Sequence, residues 1–171
     1  MAMASPLRKM VLTAHIATSV GWIGAVAAFL VLAVQGLAGS TAPSIRAAYV
    51  AMDLTTWYAI VPLAIASFVT GVISSLGTAW GLFRHYWVLM KLLITLLATA
   101  VLIIHLQPIE RLAATAIAGM PGHDFSQART LMVFASSAAI VALLVLTTLS
   151  VYKPRGMTPY GWRRQQAEAR G

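Results

Sequence analysis

Six side chains stand where they could do chemistry in otherwise apolar sequence. His15, Asp53, Lys91 and His105 fall inside long apolar runs, and His85 and His123 lie near the ends of such runs. An ionisable group inside a bilayer is costly, so it usually marks a ligand site, a proton path or a paired contact. Imidazole is the most versatile of these groups: it binds metals through either nitrogen and titrates near neutral pH. The plainer reading stands beside it: a lone intramembrane histidine often only hydrogen-bonds a neighbouring helix. A lysine such as Lys91 often only snorkels to the nearer surface.

The spacing around His15 is informative. Thr18, Ser19 and Trp22 follow it at i+3, i+4 and i+7, so they share one helical face. A haem needs axial ligands on facing helices at one depth, an apolar slot and cations for its propionates. His15 fits the first axial position. His85 or His105 is the candidate for the second. Arg84 or Lys91 suits a propionate, and Trp22 suits a macrocycle edge. A haem of this kind, held without covalent attachment, is of b type.

The elements that position these residues follow from composition. The 171 residues are 60% hydrophobic and 9% charged, and mean hydropathy is +0.83. A soluble domain carries about 25% charged residues, so the chain reads as an integral membrane protein. Apolar runs cover about 10–35, 47–76, 86–107 and 130–152. At ~1.5 Å per residue each crosses a hydrocarbon layer of ~30 Å. Only helices satisfy the backbone in lipid at such lengths. The expected fold is all-α, a four-helix antiparallel transmembrane bundle over residues 1–153, followed by a basic tail, 154–171. The first run exceeds the roughly 7–15 residues of a signal sequence, so we read it as an uncleaved first span.

Turn chemistry separates the spans. Gly39-Ser-Thr-Ala-Pro43-Ser44 divides spans one and two, with Ser44 as a candidate cap. Gly77 to Gly81 divides two and three. Pro108 is expected to stop span three, leaving Ile109–Ala118 as a short interfacial helix with Glu110 and Arg111 on its wet side. Pro62 in span two is expected to kink it by freeing the Tyr58 carbonyl. Ala17, Gly21 and Ala25 form a small-residue ridge suited to close helix packing, within the bundle or in a homodimer.

Charge sets the expected orientation. Arg8, Lys9, Arg84, Lys153, Arg155, Arg163, Arg164 and Arg170 fall on one side; Arg46, Arg111 and Arg129 fall on the other. The positive-inside rule puts both termini in the cytoplasm, as for a multi-pass protein of a bacterial inner (plasma) membrane. The net charge of +8 is therefore topology, and no nucleic-acid partner is implied. The tail is expected to lie on anionic headgroups with Tyr160 and Trp162 as anchors. On this map His15, His85 and Lys91 converge on an inner site, with spans one and three facing each other. His105, His123, Asp53 and Asp124 converge on an outer one.

Other chemistries drop out. With no cysteine, thiolate metal sites and disulfides are excluded. Four acids without Glu-x2-His spacing do not make a di-metal carboxylate site.

The pattern His15-x6-Trp22-x-Gly24, with Trp87-x3-Lys91 opening span three, resembles bacterial membrane families. These are the CopD copper-resistance membrane domain and HemJ, the membrane protoporphyrinogen oxidase that binds b-type haem. In overall layout the chain is similar to a family of four-span membrane proteins without an assigned activity. That likeness rests on Gly81-Leu-Phe-Arg84-His85-Tyr86-Trp87-Val-Leu-Met-Lys91 and Ser150-Val-Tyr152-Lys153-Pro154-Arg155-Gly156. The resemblance implies a haem-associated role for His15 and importance for Lys91. The chain departs from HemJ in lacking a Pro-Arg pair after span one. Span four has Ser136 and Ser137 where a fourth-helix ligand is expected. Two further functions stay open: an accessory subunit contacting other membrane subunits, and copper or small-cation handling through His15, His105 and Asp53, for which Met120 and His123 are further soft or borderline ligands.

Overall fold

The computed structural model describes residues 4–77, 82–119, 126–154 and 156–168, with the side chains of 126 and 168 left aside. His123, Asp124 and Met120 of the expected outer site lie outside the described residues. So do Trp80 and most of the connection between spans two and three.

The described residues are helical except for short connections. The elements are α1 (Ser5–Ala38), α2 (Ala42–Thr55), a π-helical turn (Thr56–Ile60), α3 (Val61–Leu76), α4 (Tyr86–Ile117), α5 (Ser126–Tyr152) and α6 (Pro159–Glu168). Four helical stretches are long and apolar enough to cross a membrane: Ser5–Ala38, Ala42–Leu76, Tyr86–Ile117 and Gln127–Tyr152. The expected all-α, four-helix bundle is thus the fold. Both termini and the α3–α4 connection share one end, called proximal below. The α1–α2 and α4–α5 connections share the distal end.

Alpha1 shows how the sequence builds the seam. Its buried residues are Trp22, Val26, Phe29, Ala33 and Gly36. Their spacing alternates four and three, the 3.5-residue repeat that keeps one helical stripe against its neighbours. Val20, Val31 and Val34 on the same helix are exposed. A helix apolar all round suits lipid on its outer face. Alpha1 packs along span two on one side and α5 on the other, while α4 packs against α2 and α5. Spans one and three are therefore diagonal. They face each other across the bundle axis, and side chains of both meet in the core, Trp22 and Phe29 from one and Ile109 and Leu112 from the other. Alpha3 and the proximal part of α4 barely touch.

Three local expectations change. Pro108 lies inside α4, which runs on to Ile117. Proline removes one hydrogen bond and crowds the carbonyl four residues back. Burial of Ile109, Leu112 and Ala113 holds the extension in place, so Ile109–Ala118 is the end of span three and no separate helix. Pro62 is accommodated by the π turn immediately before it, where the Val61 N–H donates to the Thr56 carbonyl. One inserted residue absorbs what was expected as a simple kink. Helix α2 begins at Ala42 with Thr41 as N-cap. Ser44 lies inside its first turn, donating to the Thr41 carbonyl at 2.9 Å and accepting from the Thr41 hydroxyl at 2.8 Å.

At the distal end Tyr49 donates to the Gly36 carbonyl, and its ring lies where a Cβ on Gly36 would stand 2.5 Å from Cε1. Only glycine permits that approach. Arg129 of α5 stacks over the same ring, 5.6 Å from its centre.

The tail docks onto the proximal end of α4. Thr158 is buried; its N–H donates to the Arg84 carbonyl at 3.0 Å and its hydroxyl to the Phe83 carbonyl at 2.6 Å. The Tyr86 N–H donates to the Gly156 carbonyl at 3.3 Å. A Cβ on Gly161 would collide with the Arg84 carbonyl. Residues 156–168 are thus tied to the bundle by backbone hydrogen bonds, beyond any headgroup contact, while Tyr160 and Trp162 remain exposed.

Candidate functional site

His15 is half-buried on the face of α1 that meets α3. Its Nδ1 lies 3.1 Å from the Ser67 carbonyl oxygen and 3.2 Å from the Thr70 hydroxyl. The hydroxyl hydrogen of Thr70 is directed to the Ala66 carbonyl at 2.6 Å. Both neighbours of Nδ1 therefore act as acceptors, and Nδ1 carries the proton. In neutral imidazole Nε2 is then the lone-pair nitrogen, a tautomer assigned here from the network. The Ser19 and Ser67 hydroxyls meet at 2.8 Å one turn deeper. Thr18 bonds back to the Ala14 carbonyl at 2.9 Å and does not reach across.

Gly71 makes this approach possible. A Cβ there would stand 3.0 Å from His15 Cε1, tighter than ordinary packing. Ser67, Thr70 and Gly71 form one stripe at i, i+3 and i+4. That stripe is legible in the sequence, but only the pairing of α1 with α3 gives it a partner. The ridge on α1 contributes at Gly21, where a Cβ would stand 3.3 Å from Leu63 Cδ2; Ala17 is exposed.

Lys91, partly buried near the proximal end of α4, lies within electrostatic range of His15. Its Nζ sits over the Trp87 ring, 5.8 Å from the centre. His85 is the N-cap of α4 in extended backbone and pairs with Met157 of the tail. Arg84 precedes it and offers its carbonyl to Thr158. The hydrogen-bond partners of His15 are Ser67 and Thr70, and neither His85 nor His105 is among them.

His105 occupies a different place. Its Nδ1 donates to the Val101 carbonyl on its own helix at 2.7 Å. With Trp22 it lines a cavity at the centre of the four spans. Trp22 is seven residues beyond His15, about 10 Å along the helix. His105 therefore stands roughly two turns deeper than His15. Asp53, on α2, has a buried Oδ1 without a hydrogen-bond partner among the described residues.

These observations decide how far a cofactor fits. Among the described residues no three His, Asp or Glu side chains converge as an ion-binding group, so His15, His105 and Asp53 do not assemble a shared cation site. Of what a haem asks, an imidazole oriented by a neighbouring span is present at His15. No protein-family model, curated protein or solved structure matches the chain. The functional reading therefore rests on the chain's own residues.

Proposed function

We propose that this four-span membrane protein binds one b-type haem in its proximal half, with His15 as an axial ligand, for electron transfer or porphyrin-linked redox work. The observation that carries the reading is the Nδ1–H of His15 held by the Ser67 carbonyl of a neighbouring span. Metal-ligating histidines are commonly oriented in this way, with a backbone carbonyl fixing the tautomer and raising the basicity of Nε2. Lys91 and Arg84 would supply cations for propionates. The haem iron itself would supply the one-electron chemistry, while the chain orients the imidazole and excludes water. Of the candidates for the second position, His85 shares the proximal end with Lys91 and Arg84, whereas His105 stands at the level of Trp22. The reading takes His85.

The absorption spectrum of purified protein, oxidised and reduced, tests this. A Soret band lost in His15→Ala and retained in His105→Ala is the expected result. A haem spectrum unchanged by His15→Ala would remove the ligand assignment. Colourless protein recovered only with partner chains would point instead to an accessory subunit. A five-coordinate spectrum would remove His85 and keep His15.

The charge asymmetry supports an inner-membrane orientation with both termini in the cytoplasm. The chain has no cysteine, so single cysteines placed at Met157 and at Thr41 report sidedness without background. Labelling of Met157→Cys from the periplasm would reverse the orientation.

A further inference from the structure

The cavity shared by Trp22 and His105 has a volume of about 70 Å³, and every span contributes to its wall. Most of that wall is apolar, including Val26, Phe29, Leu102 and Leu143. Four of the lining residues carry polar side-chain atoms: Trp22, Thr56, His105 and Ser136. Trp22 is 4% exposed, and its Nε1–H is buried with no acceptor. His105 Nε2 is buried with no donor; because Nδ1 gives its hydrogen to Val101, Nε2 presents a lone pair. The hydroxyls of Thr56 and Ser136 complete the set. Their hydrogens go to the carbonyls of Met52 at 2.8 Å and Met132 at 2.7 Å, so towards the cavity they can only accept. Among these four residues the inventory is one donor and three acceptors.

A buried donor left unpaired costs about 1–3 kcal/mol, and in a bilayer no bulk water relieves it. One kind of occupant answers both ends at once. A hydroxyl oxygen accepts from Trp22, and its hydrogen is donated to His105. The volume sets the size. An apolar cavity of roughly 150 Å³ takes benzene, whereas a water needs only about 10–15 Å³; this cavity lies between the two. Val101 both lines the cavity and is 43% exposed on the outside of α4, so the space lies one side chain from the lipid face.

We propose that this chamber is a binding site for one hydroxyl-bearing molecule of a few heavy atoms, water or a short alcohol, held between Trp22 Nε1–H and His105 Nε2. The site does not depend on haem in the proximal half.

The test uses the full chain in lipid nanodiscs with ¹⁵N-labelled tryptophan and histidine, and Trp22→Phe to assign the indole signal. The expected result takes one of two forms. A cross-peak between the Trp22 indole N–H and water identifies water. A saturable shift of that N–H on titrating ethanol identifies a short alcohol. In either case the His105 Nε2 signal moves in Trp22→Phe, and the indole signal moves upfield in His105→Phe and less in His105→Gln, which keeps an acceptor. An indole N–H with neither a water cross-peak nor an ethanol response overturns the site. Cross-peaks to acyl-chain protons overturn it too, because the chamber then holds lipid.

Discussion

His15 and His105 use the same nitrogen in the same way, yet their hydrogen bonds have opposite consequences. Both donate Nδ1–H to a backbone carbonyl. His105 donates to Val101 on its own helix at 2.7 Å. His15 donates to Ser67, 52 residues away on another span, at 3.1 Å. The first bond is satisfied by the helix alone and would survive if the bundle came apart. The second exists only while α1 and α3 are packed. An equal chemical gesture is thus local bookkeeping in one place and a tertiary tie in the other. What each leaves free also differs: His105 lines an apolar chamber and keeps a buried Nε2 without a partner among the described residues, and His15 stands within electrostatic range of Lys91.

The strongest way to break the contrast is steric. Gly71→Leu places a side chain where a Cβ alone would stand 3.0 Å from His15 Cε1. Overpacking of this kind costs about 1–3 kcal/mol. A clear fall in the thermal midpoint in detergent is expected, together with loss of any haem spectrum. The matching change by the other histidine, Val101→Leu, should leave both nearly unaltered. Next comes His15→Ala. Interhelical hydrogen bonds in membranes are worth about 0.6 kcal/mol on average and up to ~1.7, so a loss of about 1 kcal/mol is expected from unfolding in mixed micelles. No loss at all would mean that the Ser67 tie contributes nothing.

A double-mutant cycle sharpens the comparison. Ser19→Ala and Ser67→Ala remove the two hydroxyls that meet at 2.8 Å, and a coupling of about 0.5 kcal/mol is expected. Additive effects would show that packing, and not hydrogen bonding, joins α1 to α3. The smallest effect belongs to His105→Phe. The Val101 carbonyl already has the helical N–H of His105 as a donor, and a phenyl ring suits the apolar wall. Stability is expected to stay within about 0.5 kcal/mol of the parent. A large loss there would make His105 a structural tie like His15.

Four spans, their helical nature and their order were legible because bilayer thickness and backbone hydrogen bonding leave few alternatives. His15 and Lys91 were legible as candidates because a charge or an imidazole stands out against apolar sequence. The partners of His15 were harder to see. Ser67, Thr70 and Gly71 read as an ordinary small-residue stripe until α3 is laid against α1. Pro108 misled for a related reason. A proline is a sound local stop signal, but burial of Ile109, Leu112 and Ala113 overrode it. The charge of the tail was visible in the sequence, whereas the contacts of Thr158 and Gly161 with the start of α4 were not.

The sequence by itself determined that this chain is a four-span helical membrane protein with rare ionisable groups inside its spans, because composition and length act through the bilayer without reference to any fold. Tertiary structure alone decided which groups meet. Trp22, on one helical face with His15, lines a chamber with His105 of span three, while His15 itself is tied to Ser67 of span two. Side-chain meetings depend on helix rotation and neighbour choice, and in lipid these are set by close packing of small residues such as Gly36 and Gly71.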